Sequence, residues 1–298
     1  MGRIHYEECP VCRKRNINPL LTVTDHSVSK ENFVIWQCAD CTLRFTQDVP
    51  DEESIGVYYK SPDYISHSNT DKGFINKMYQ KVKLFTLEQK AKLIRDKTGK
   101  HTGSLLDMGC GTGSFLHVMK GKGWRVKGIE PDYDARKMAH DLYGVQVDEP
   151  SILPELSAGS FDAITLWHVL EHVHELNGYV AKLKEILKPD GRLFIAVPNY
   201  QSLDAAIYRL QWAAYDVPRH LYHFNPKAVE ELMNRNGLQI VEKKEMWFDS
   251  FYISLLSSKY KNGKPNYVGS VIAGLRSNAA ALMNKDRCSS LIYIIKKG

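Results

Sequence analysis

The segment from residue 104 to 116, SLLDMGCGTGSFL, constrains the fold of this 298-residue chain most strongly. Apolar residues lead into Asp107, and glycines follow at every second position, as Gly109, Gly111 and Gly113. Glycine adopts backbone angles that are closed to other residues and lets a ligand approach the main chain. A strand that ends in an acid and turns through glycines into a helix therefore predicts a nucleotide-binding βαβ unit.

A second predicted strand lies at the distance that such a unit requires. It spans residues 124–130, WRVKGIE, and ends in Glu130. In Rossmann-like folds an acid at this strand end accepts hydrogen bonds from the ribose hydroxyls of a nucleotide. The alternative is an ordinary surface carboxylate. A dinucleotide fingerprint would place its third glycine at Ser114, so the turn does not carry that pattern.

Three further segments complete an ordered set. A predicted strand, SFDAIT (160–165), is followed by HVLEHV (168–173), and LKPDGRLFIAVPN (187–199) predicts a helix end, a glycine turn and a strand. This order resembles the core of the class I S-adenosylmethionine-dependent methyltransferases, and HVLEHV resembles a segment of the quinone-biosynthesis O-methyltransferases. The resemblance covers about residues 87–247 and the last strand. It implies a Rossmann-like α/β fold with a seven-stranded, mostly parallel sheet and an antiparallel last strand.

The resemblance also implies a cofactor, S-adenosylmethionine, and the residues that hold it. In open α/β sheets the ligand lies across the carboxyl ends of the strands, so residues just after these ends converge on one pocket. Members of this family carry a polar residue near the adenine, usually an acid that comes a few residues before Leu-Pro. Glu149 fits the following Leu153-Pro154 best, and Asp148 is the alternative. The predicted cofactor residues are Asp107, Gly109, Gly111, Gly113, Glu130, Pro131, Glu149, Trp167 and His168.

Two C-x2-C pairs near the N-terminus predict a metal site. They are separated by 25 residues, and each pair places two thiolates on one tight turn. Two such turns complete a tetrahedral zinc site without an open position for catalysis, so the expected role of the zinc is structural. Predicted strands at 33–37 and 42–45 favour a zinc ribbon; the alternative is four unrelated buried cysteines. The predicted ligands are Cys9, Cys12, Cys38 and Cys41, whereas Cys110 and Cys288 are expected to be buried thiols.

The patterns divide the chain into three parts. Residues 1–47 are predicted to form the zinc-ribbon module, 48–103 a linker with N-terminal helices, and 104–298 the methyltransferase core with acceptor-side insertions at 200–225 and 248–289. Tyrosines at 58, 59 and 64 either close over the cofactor or acceptor as a flap, or pack the ribbon onto the core. Residues 73–97 follow the spacing of an amphipathic helix.

The histidines are the candidates for acid–base chemistry. DVPRHLYHF (216–224), followed by a predicted helix, resembles a subgroup of methyltransferases close to the quinone O-methyltransferases, in which an insertion here covers the acceptor side. We predict that His220 and His223 line the acceptor pocket and that one of them, or His172, is the base, since histidine titrates near neutrality. Alternatively, Arg219 pins a structural turn here. Glu171 and His172 could instead hold a divalent ion or begin a helix.

Composition limits the partners. Lys and Arg total 40 against 34 Asp and Glu, a net charge of +6, without a run of five or six basic residues, which argues against a nucleic-acid partner. No apolar signal segment and no stretch of eighteen apolar residues occurs, so we expect a cytoplasmic location and no transmembrane segment. Two apolar helical segments span residues 248–259 and 268–284. They could cover the acceptor site, form a dimer interface, contact a membrane surface peripherally or pack in the core.

These observations predict methyl transfer to a small-molecule acceptor at a hydroxyl oxygen. One alternative is sugar C-methylation, because some deoxysugar methyltransferases also carry an N-terminal cysteine zinc site. Another is a ribbon that binds RNA, with or without RNA methylation; residues 13–15, RKR, are the only basic cluster of the ribbon.

Overall fold

The computed structural model describes residues 2–59 and 74–298, with side chains from residue 82 onward in the second range. The chain divides into two compact units. The first unit comprises residues 1–65, 168–180 and 196–293. The second unit comprises residues 66–167, 181–195 and 294–298 and contains the glycine turn.

The strands of the described residues are numbered in chain order. They are β1 (Arg3–Ile4), β2 (Ile17–Thr24), β3 (Asn32–Cys38), β4 (Arg44–Thr46), β5 (Val49–Pro50), β6 (Ser104–Met108), β7 (Arg125–Ile129), β8 (Val147–Asp148), β9 (Phe161–Trp167), β10 (Leu187–Pro198), β11 (Tyr222–His223), β12 (Leu238–Glu245) and β13 (Ser290–Lys297).

The α-helices are numbered in the same way. They are α1 (Phe74–Thr98), α2 (Ser114–Gly121), α3 (Tyr133–Tyr143), α4 (Leu176–Ile186), α5 (Leu203–Tyr208), α6 (Pro226–Arg235), α7 (Asp249–Asn262) and α8 (Tyr267–Met283). Short 3₁₀ turns lie at Ile55–Tyr59, Pro150–Glu155, Leu170–His172, Arg209–Gln211, Ala213–Tyr215 and Lys285–Arg287.

The largest sheet has seven strands in the order β12-β13-β10-β9-β6-β7-β8. β6 pairs in parallel with β7 and β9, and β7 pairs in parallel with β8. The last strand, β13, is antiparallel. Every residue of β6 is buried, as expected for a central strand of a parallel sheet with covered faces. The predicted Rossmann-like fold class is thus confirmed.

The N-terminal strands form a second, antiparallel sheet in the order β11-β4-β3-β2. β3 alternates in burial, with Phe33 and Ile35 buried and Val34 exposed, as a half-buried strand should. The predicted strands at 33–37 and 42–45 correspond to β3 and β4, whereas the eight-residue β2 was not predicted. β11 belongs to the RHLYHF segment and pairs Tyr222 with Phe45.

Local sequence signals set the helix ends in the second unit. The Asp132 side chain accepts a hydrogen bond from the Ala135 amide at 2.7 Å and caps α3. Gly144 ends this helix in a left-handed conformation, with φ of 57°.

The segment 200–215, part of the predicted acceptor-side insertion, contains only one short α-helix. α5 ends at Tyr208, and two 3₁₀ turns follow. Arg209 has φ of 51° and ψ of −121°, which no helix can contain. The Trp212 indole donates a hydrogen bond to the buried Asp204 carboxylate at 2.8 Å, which stabilises the non-helical backbone after Tyr208. The alternative that Glu171 and His172 begin a helix is wrong, because a single 3₁₀ turn ends at His172.

The two apolar segments near the C-terminus form α7 and α8, whose facing sides are rich in small residues. Ser254, Ser257, Ser258, Ser270 and Ser277 are all buried. The opposite face of α8 exposes large apolar side chains. Among the described residues, no helix has the length and apolar character that crossing a membrane requires. The tyrosine segment is described only to residue 59, so Tyr64 lies outside the described residues.

Candidate functional site

The glycine turn in the second unit is tied to Glu130 by backbone hydrogen bonds. The Gly111 amide donates to Glu130 Oε2 at 2.8 Å, and the Asp132 amide donates to Oε1 at 3.0 Å. Gly109 donates to the Ile129 carbonyl at 2.7 Å. These bonds hold the ends of β6 and β7 together, and each carboxylate oxygen keeps a second lone pair for a ligand hydroxyl.

The glycines of the turn have different surroundings. Gly111 has φ of 52°, and a Cβ added to it would meet no atom of the described residues within 4 Å. A Cβ on Gly113 would lie 2.9 Å from the Ala139 Cβ, so this glycine allows close packing. Gly111 therefore borders open space, where a ligand can approach the main chain, while Gly113 serves the fold.

Two buried acids lie at this turn. Burial raises the pKa of Asp107 to about 7, although the hydrogen bond that Thr165 Oγ1 donates to it at 2.6 Å acts to lower this pKa. Burial also raises the pKa of Glu130, against the hydrogen bonds from the Gly111 and Asp132 amides. The charge of Glu130 also raises the pKa of Asp107, and that of Asp132 raises the pKa of Glu130, so the turn favours a ligand with hydrogen-bond donors or positive charge.

Trp167 lies at the end of β9 with an unpaired donor. Its indole Nε1 is buried and has no hydrogen-bond partner in the part of the chain that the structure describes. The ring packs edge-on against Phe115, with centroids 5.7 Å apart, and the Lys90 ammonium lies 4.2 Å from its centroid. A buried donor without a partner is uncommon in folded proteins and marks a position where a ligand can supply the acceptor.

The remaining predicted cofactor residues of this unit have protein partners. The carbonyls of Glu130 and Pro131 each accept from Arg136 Nη1 at 2.7 Å. Asp148 forms an ion pair with Lys127. Glu149 accepts from the Ser151 hydroxyl at 2.8 Å. These contacts do not decide between Asp148 and Glu149 as the residue near the adenine.

His168, in the first unit, is paired with two carboxylates. Its Nε2 lies 2.9 Å from Asp249 Oδ2, and its Nδ1 lies 3.5 Å from Glu171 Oε1. Burial alone would lower the pKa of His168, but the two carboxylates raise it to about 10, so the ring is an imidazolium at neutral pH. Its φ of 59° lies in the left-handed region, which few non-glycine residues adopt.

Glu171, His172 and His220 form a cluster in the first unit. Each offers one ligand atom, and these atoms lie within 4.8 Å of one another. Glu171 is fully buried, and neither of its oxygens has a hydrogen-bond partner among the described residues. The 3.5 Å separation from His168 is too long for a good hydrogen bond. The carboxylate therefore lacks a close donor.

Backbone carbonyls fix the tautomers of the two rings. Nδ1 of His172 lies 3.0 Å from both the Arg219 carbonyl and the Tyr59 hydroxyl, and Nδ1 of His220 lies 2.9 Å from the Ala214 carbonyl. A carbonyl only accepts, so Nδ1 carries the proton in both rings and Nε2 keeps its lone pair. Burial and the neighbouring His220 lower the pKa of His172 to about 4. The cluster thus gathers acceptors that can take a proton or hold a cation.

His223 lies in a different environment. Its Nε2 is 3.2 Å from Thr46 Oγ1, and its ring packs edge-on against Tyr215 with centroids 5.3 Å apart. Burial lowers its pKa well below the usual value. The structure does not bring His223 into the Glu171 cluster, and these contacts favour a packing role over the predicted role as a base.

Arg219 is buried and links three segments of the first unit. Nη2 lies 3.0 Å from Asp25 Oδ1 and 2.7 Å from Asp216 Oδ1, and Nη1 donates to the Tyr58 carbonyl at 2.7 Å. The next residue is His220, so this network also positions the cluster. The alternative that Arg219 pins a structural turn agrees with these contacts, but Asp25 was not predicted.

The four predicted metal ligands are gathered in the first unit. Cys9 Sγ lies 3.5 Å from Cys41 Sγ, and Cys12 Sγ lies 3.5 Å from Cys38 Sγ. One ligand atom from each lies within 4.8 Å of the others, and all four side chains are buried. Tetrahedral sites with Zn–S bonds of about 2.3 Å place sulfurs about 3.8 Å apart, so this arrangement can hold a metal ion.

Comparison with known proteins gives a family and a fold. Residues 77–243 match the family described as "Methyltransferase domain". The ubiquinone biosynthesis O-methyltransferase of Burkholderia vietnamiensis is 32% identical over 152 residues, covering 47% of this chain and 66% of that protein. That of Xanthomonas axonopodis pv. citri is 30% identical over 158 residues, covering 49% and 66%. The chain thus spans just under two thirds of the length of these relatives.

A solved structure matches the fold more widely. The magnesium protoporphyrin IX methyltransferase of Synechocystis PCC 6803, solved with bound S-adenosylhomocysteine, superimposes with a TM-score of 0.52. The match covers 81% of this chain and 97% of that protein at 14% sequence identity. At this identity the likeness supports the fold alone.

Proposed function

Because the chain belongs to the methyltransferase domain family, we propose that it transfers the methyl group of S-adenosylmethionine to a hydroxyl oxygen of a small molecule. The observation that carries this proposal is the open space beside Gly111, bordered by the Glu130 carboxylate. When bound, S-adenosylmethionine supplies a methyl group that its sulfonium already activates. The protein then has to place the acceptor in line and remove its proton.

The residues of the second unit fit this cofactor. Glu130 has lone pairs left for two ribose hydroxyls, and Gly111 lets a ligand approach the main chain. Trp167 Nε1 is a buried donor without a partner among the described residues. The acids at positions 107 and 130 suit a cofactor that carries a positive charge. We propose that these residues of the second unit, with Gly109, Gly113, Pro131 and Glu149, hold the cofactor.

We assign the role of base to His220. Its Nδ1 proton is held by the Ala214 carbonyl, so Nε2 can take the hydroxyl proton of the acceptor. The buried carboxylate of Glu171 has an oxygen within 4.8 Å of a ring nitrogen of His220, so its negative charge would stabilise the imidazolium that forms. His172 is a weaker candidate, because a pKa of about 4 makes it a poor base at neutral pH.

His220→Asn is expected to lower turnover by about 10²- to 10⁴-fold, the usual contribution of a general base, with unchanged affinity for S-adenosylmethionine. Turnover is measured as release of S-adenosylhomocysteine with a panel of simple phenols and catechols. His140→Asn, at an exposed position of α3, is the matched control and should behave like the wild type.

Two results would contradict this assignment. Equal turnover of the His220 variant and the wild type would place the base elsewhere. If the cofactor binds but no hydroxyl compound is methylated, the acceptor class is wrong. Loss of turnover on treatment with a chelator, with recovery on adding Mg²⁺, would instead assign the Glu171 cluster to a cation.

We further propose that the four N-terminal cysteines hold a structural zinc ion in a module of residues 1–47. Both turns share the same backbone: Arg13 and Thr42, each four residues after the first cysteine of its pair, have φ of 60° and 64°. Four thiolates leave no coordination position for a substrate, so zinc would stabilise this sheet rather than take part in the reaction.

Purified protein is expected to contain about one zinc ion per chain by mass spectrometry, since four thiolates form one site. Cys38→Ser should lose most of this zinc and show faster amide exchange over β2 to β4. Cys288→Ser removes a buried thiol outside the cluster and should keep the zinc. Zinc-free wild-type protein that is fully folded, or equal zinc in both variants, would contradict the site.

A further inference from the structure

The first unit contains a cavity of about 550 Å³ that the proposed chemistry does not use. Its volume is within the range of small-molecule sites, which is roughly 300–1,000 Å³. None of its lining residues belongs to the Glu171 cluster or to the cysteine cluster. Besides four apolar side chains, its wall is formed by Arg44, Tyr200, Gln201, Ser202, Arg209, Tyr215, Asn284, Asp286 and Arg287.

Three arginines in this wall lack carboxylate partners. Arg44 donates to Gln37 Oε1 at 2.9 Å and to the Tyr215 hydroxyl at 3.2 Å, and both acceptors are neutral. Arg209 and Arg287 form no ion pair with any residue in the ranges 2–59 and 82–298. The acid of the wall, Asp286, is paired with Lys243. The cavity therefore collects positive charge that the described protein does not neutralise.

Arg209 and Arg287 are exposed, so water screens part of the repulsion among the three arginines, and a bound anion would reduce it further. Arg44 is also held in position, since its guanidinium carbon lies 3.9 Å from the centroid of the Tyr200 ring. Such stacking orders the guanidinium, and the donors that Gln37 and Tyr215 do not take are left for a ligand. The planar fork of arginine matches the oxygen spacing of phosphates and forms bidentate, charge-assisted hydrogen bonds with them.

The backbone at Arg209 is a second, independent observation. With φ of 51° and ψ of −121°, this residue has a conformation that is ordinarily reserved for glycine. An arginine in such a conformation lowers stability relative to glycine, yet it stands at the wall of the cavity. Strained residues of this kind are concentrated at ligand-binding sites.

We propose that this cavity binds a small molecule that carries two or more phosphate charges. Arg44, Arg209 and Arg287 bind the phosphate oxygens, and the amides of Gln201 and Asn284 bind the polar remainder of the ligand. One carboxylate would leave most of the charge of three arginines unbalanced, whereas a diphosphate balances it. The site lies within the first unit and does not depend on the methyl-transfer proposal.

The test is calorimetry of the full chain with inorganic pyrophosphate as the probe. Wild-type protein is expected to bind it, with affinity that falls as salt rises, since the contacts are charged. The double variant Arg209→Gln, Arg287→Gln should bind it roughly tenfold or more weakly, because each 1.4 kcal/mol lost is a factor of ten. Arg276→Gln, which removes one exposed arginine from α8, should bind like the wild type.

The variant Arg209→Gly separates a loss of binding from a loss of folding. It relieves the backbone strain and should raise the Tm, while pyrophosphate binding weakens. Affinity for S-adenosylmethionine should be unchanged in all these variants, so failure here is distinct from failure of the proposed function. Absence of pyrophosphate binding to the wild type, equal binding by all variants, or a preference for an RNA oligonucleotide over pyrophosphate would each overturn the proposal.

Discussion

Arg219→Met is expected to lower the free energy of unfolding by about 3–5 kcal/mol, the usual loss when one partner of a buried ion pair is removed. The methionine fills similar volume but leaves the buried Asp25 carboxylate without its cation. It also removes the hydrogen bonds to Asp216 and to the Tyr58 carbonyl. Chemical denaturation at pH 7 measures the difference.

The effect should depend on pH with a definite sign. Burial raises the pKa of Asp25, but Arg219 and backbone amides outweigh burial and hold this pKa well below its usual value. Its stabilising contribution is therefore full above the unfolded pKa of about 3.9 and is lost as pH falls below it. The difference in the free energy of unfolding between wild type and variant should be largest at neutral pH and should become smaller in acid.

Two further variants test the cause. Arg235→Met removes an exposed arginine from α6 and should change stability by less than about 1 kcal/mol, as for surface ion pairs. Adding Asp25→Asn to Arg219→Met removes the unpaired charge and should recover part of the loss. If Arg219→Met is as stable as Arg235→Met, the buried network does not hold these segments together.

Gly111→Val is expected to weaken S-adenosylmethionine binding by roughly 100-fold or more, which corresponds to about 2.7 kcal/mol. The added side chain would occupy the space beside the turn, where the described part of the chain places no atom within 4 Å of the Cβ position. Calorimetry with purified protein measures the affinity.

Gly144→Val is the matched control. Gly144 also has positive φ, 57°, and its added Cβ also meets no atom within 4 Å in the ranges that the structure describes, but it lies at the end of α3. Both variants therefore have a similar backbone penalty, about 1–2 kcal/mol for a left-handed residue with a side chain. Equal affinity of the two variants for the cofactor would remove Gly111 from the binding site.

The glycine turn and Glu130 were predictable because the signal is local. Asp107, the glycines and Glu130 lie within 24 residues, and strand-turn-helix geometry places them on one edge of the sheet. The cysteine cluster was predictable for a related reason. The C-x2-C spacing forms half of the site within one turn, so only one long-range contact had to be inferred.

The remaining site residues depend on contacts that no local pattern encodes. Arg219 and Asp25 are separated by 194 positions, so no local pattern in the sequence indicates that they pair. The pairing of β11 with β4 likewise carries RHLYHF into the N-terminal sheet. This pairing buries His223 beside Thr46, although its residue type had made it as good a base as His220.

The central claim is that the glycine turn binds a sulfonium cofactor rather than a dinucleotide. Calorimetry of the wild-type protein with S-adenosylmethionine, S-adenosylhomocysteine and NAD tests it most directly. We expect both sulfur compounds to bind with 1:1 stoichiometry and NAD to give no heat of binding. Binding of NAD, or binding of none of the three to folded protein, would contradict the account.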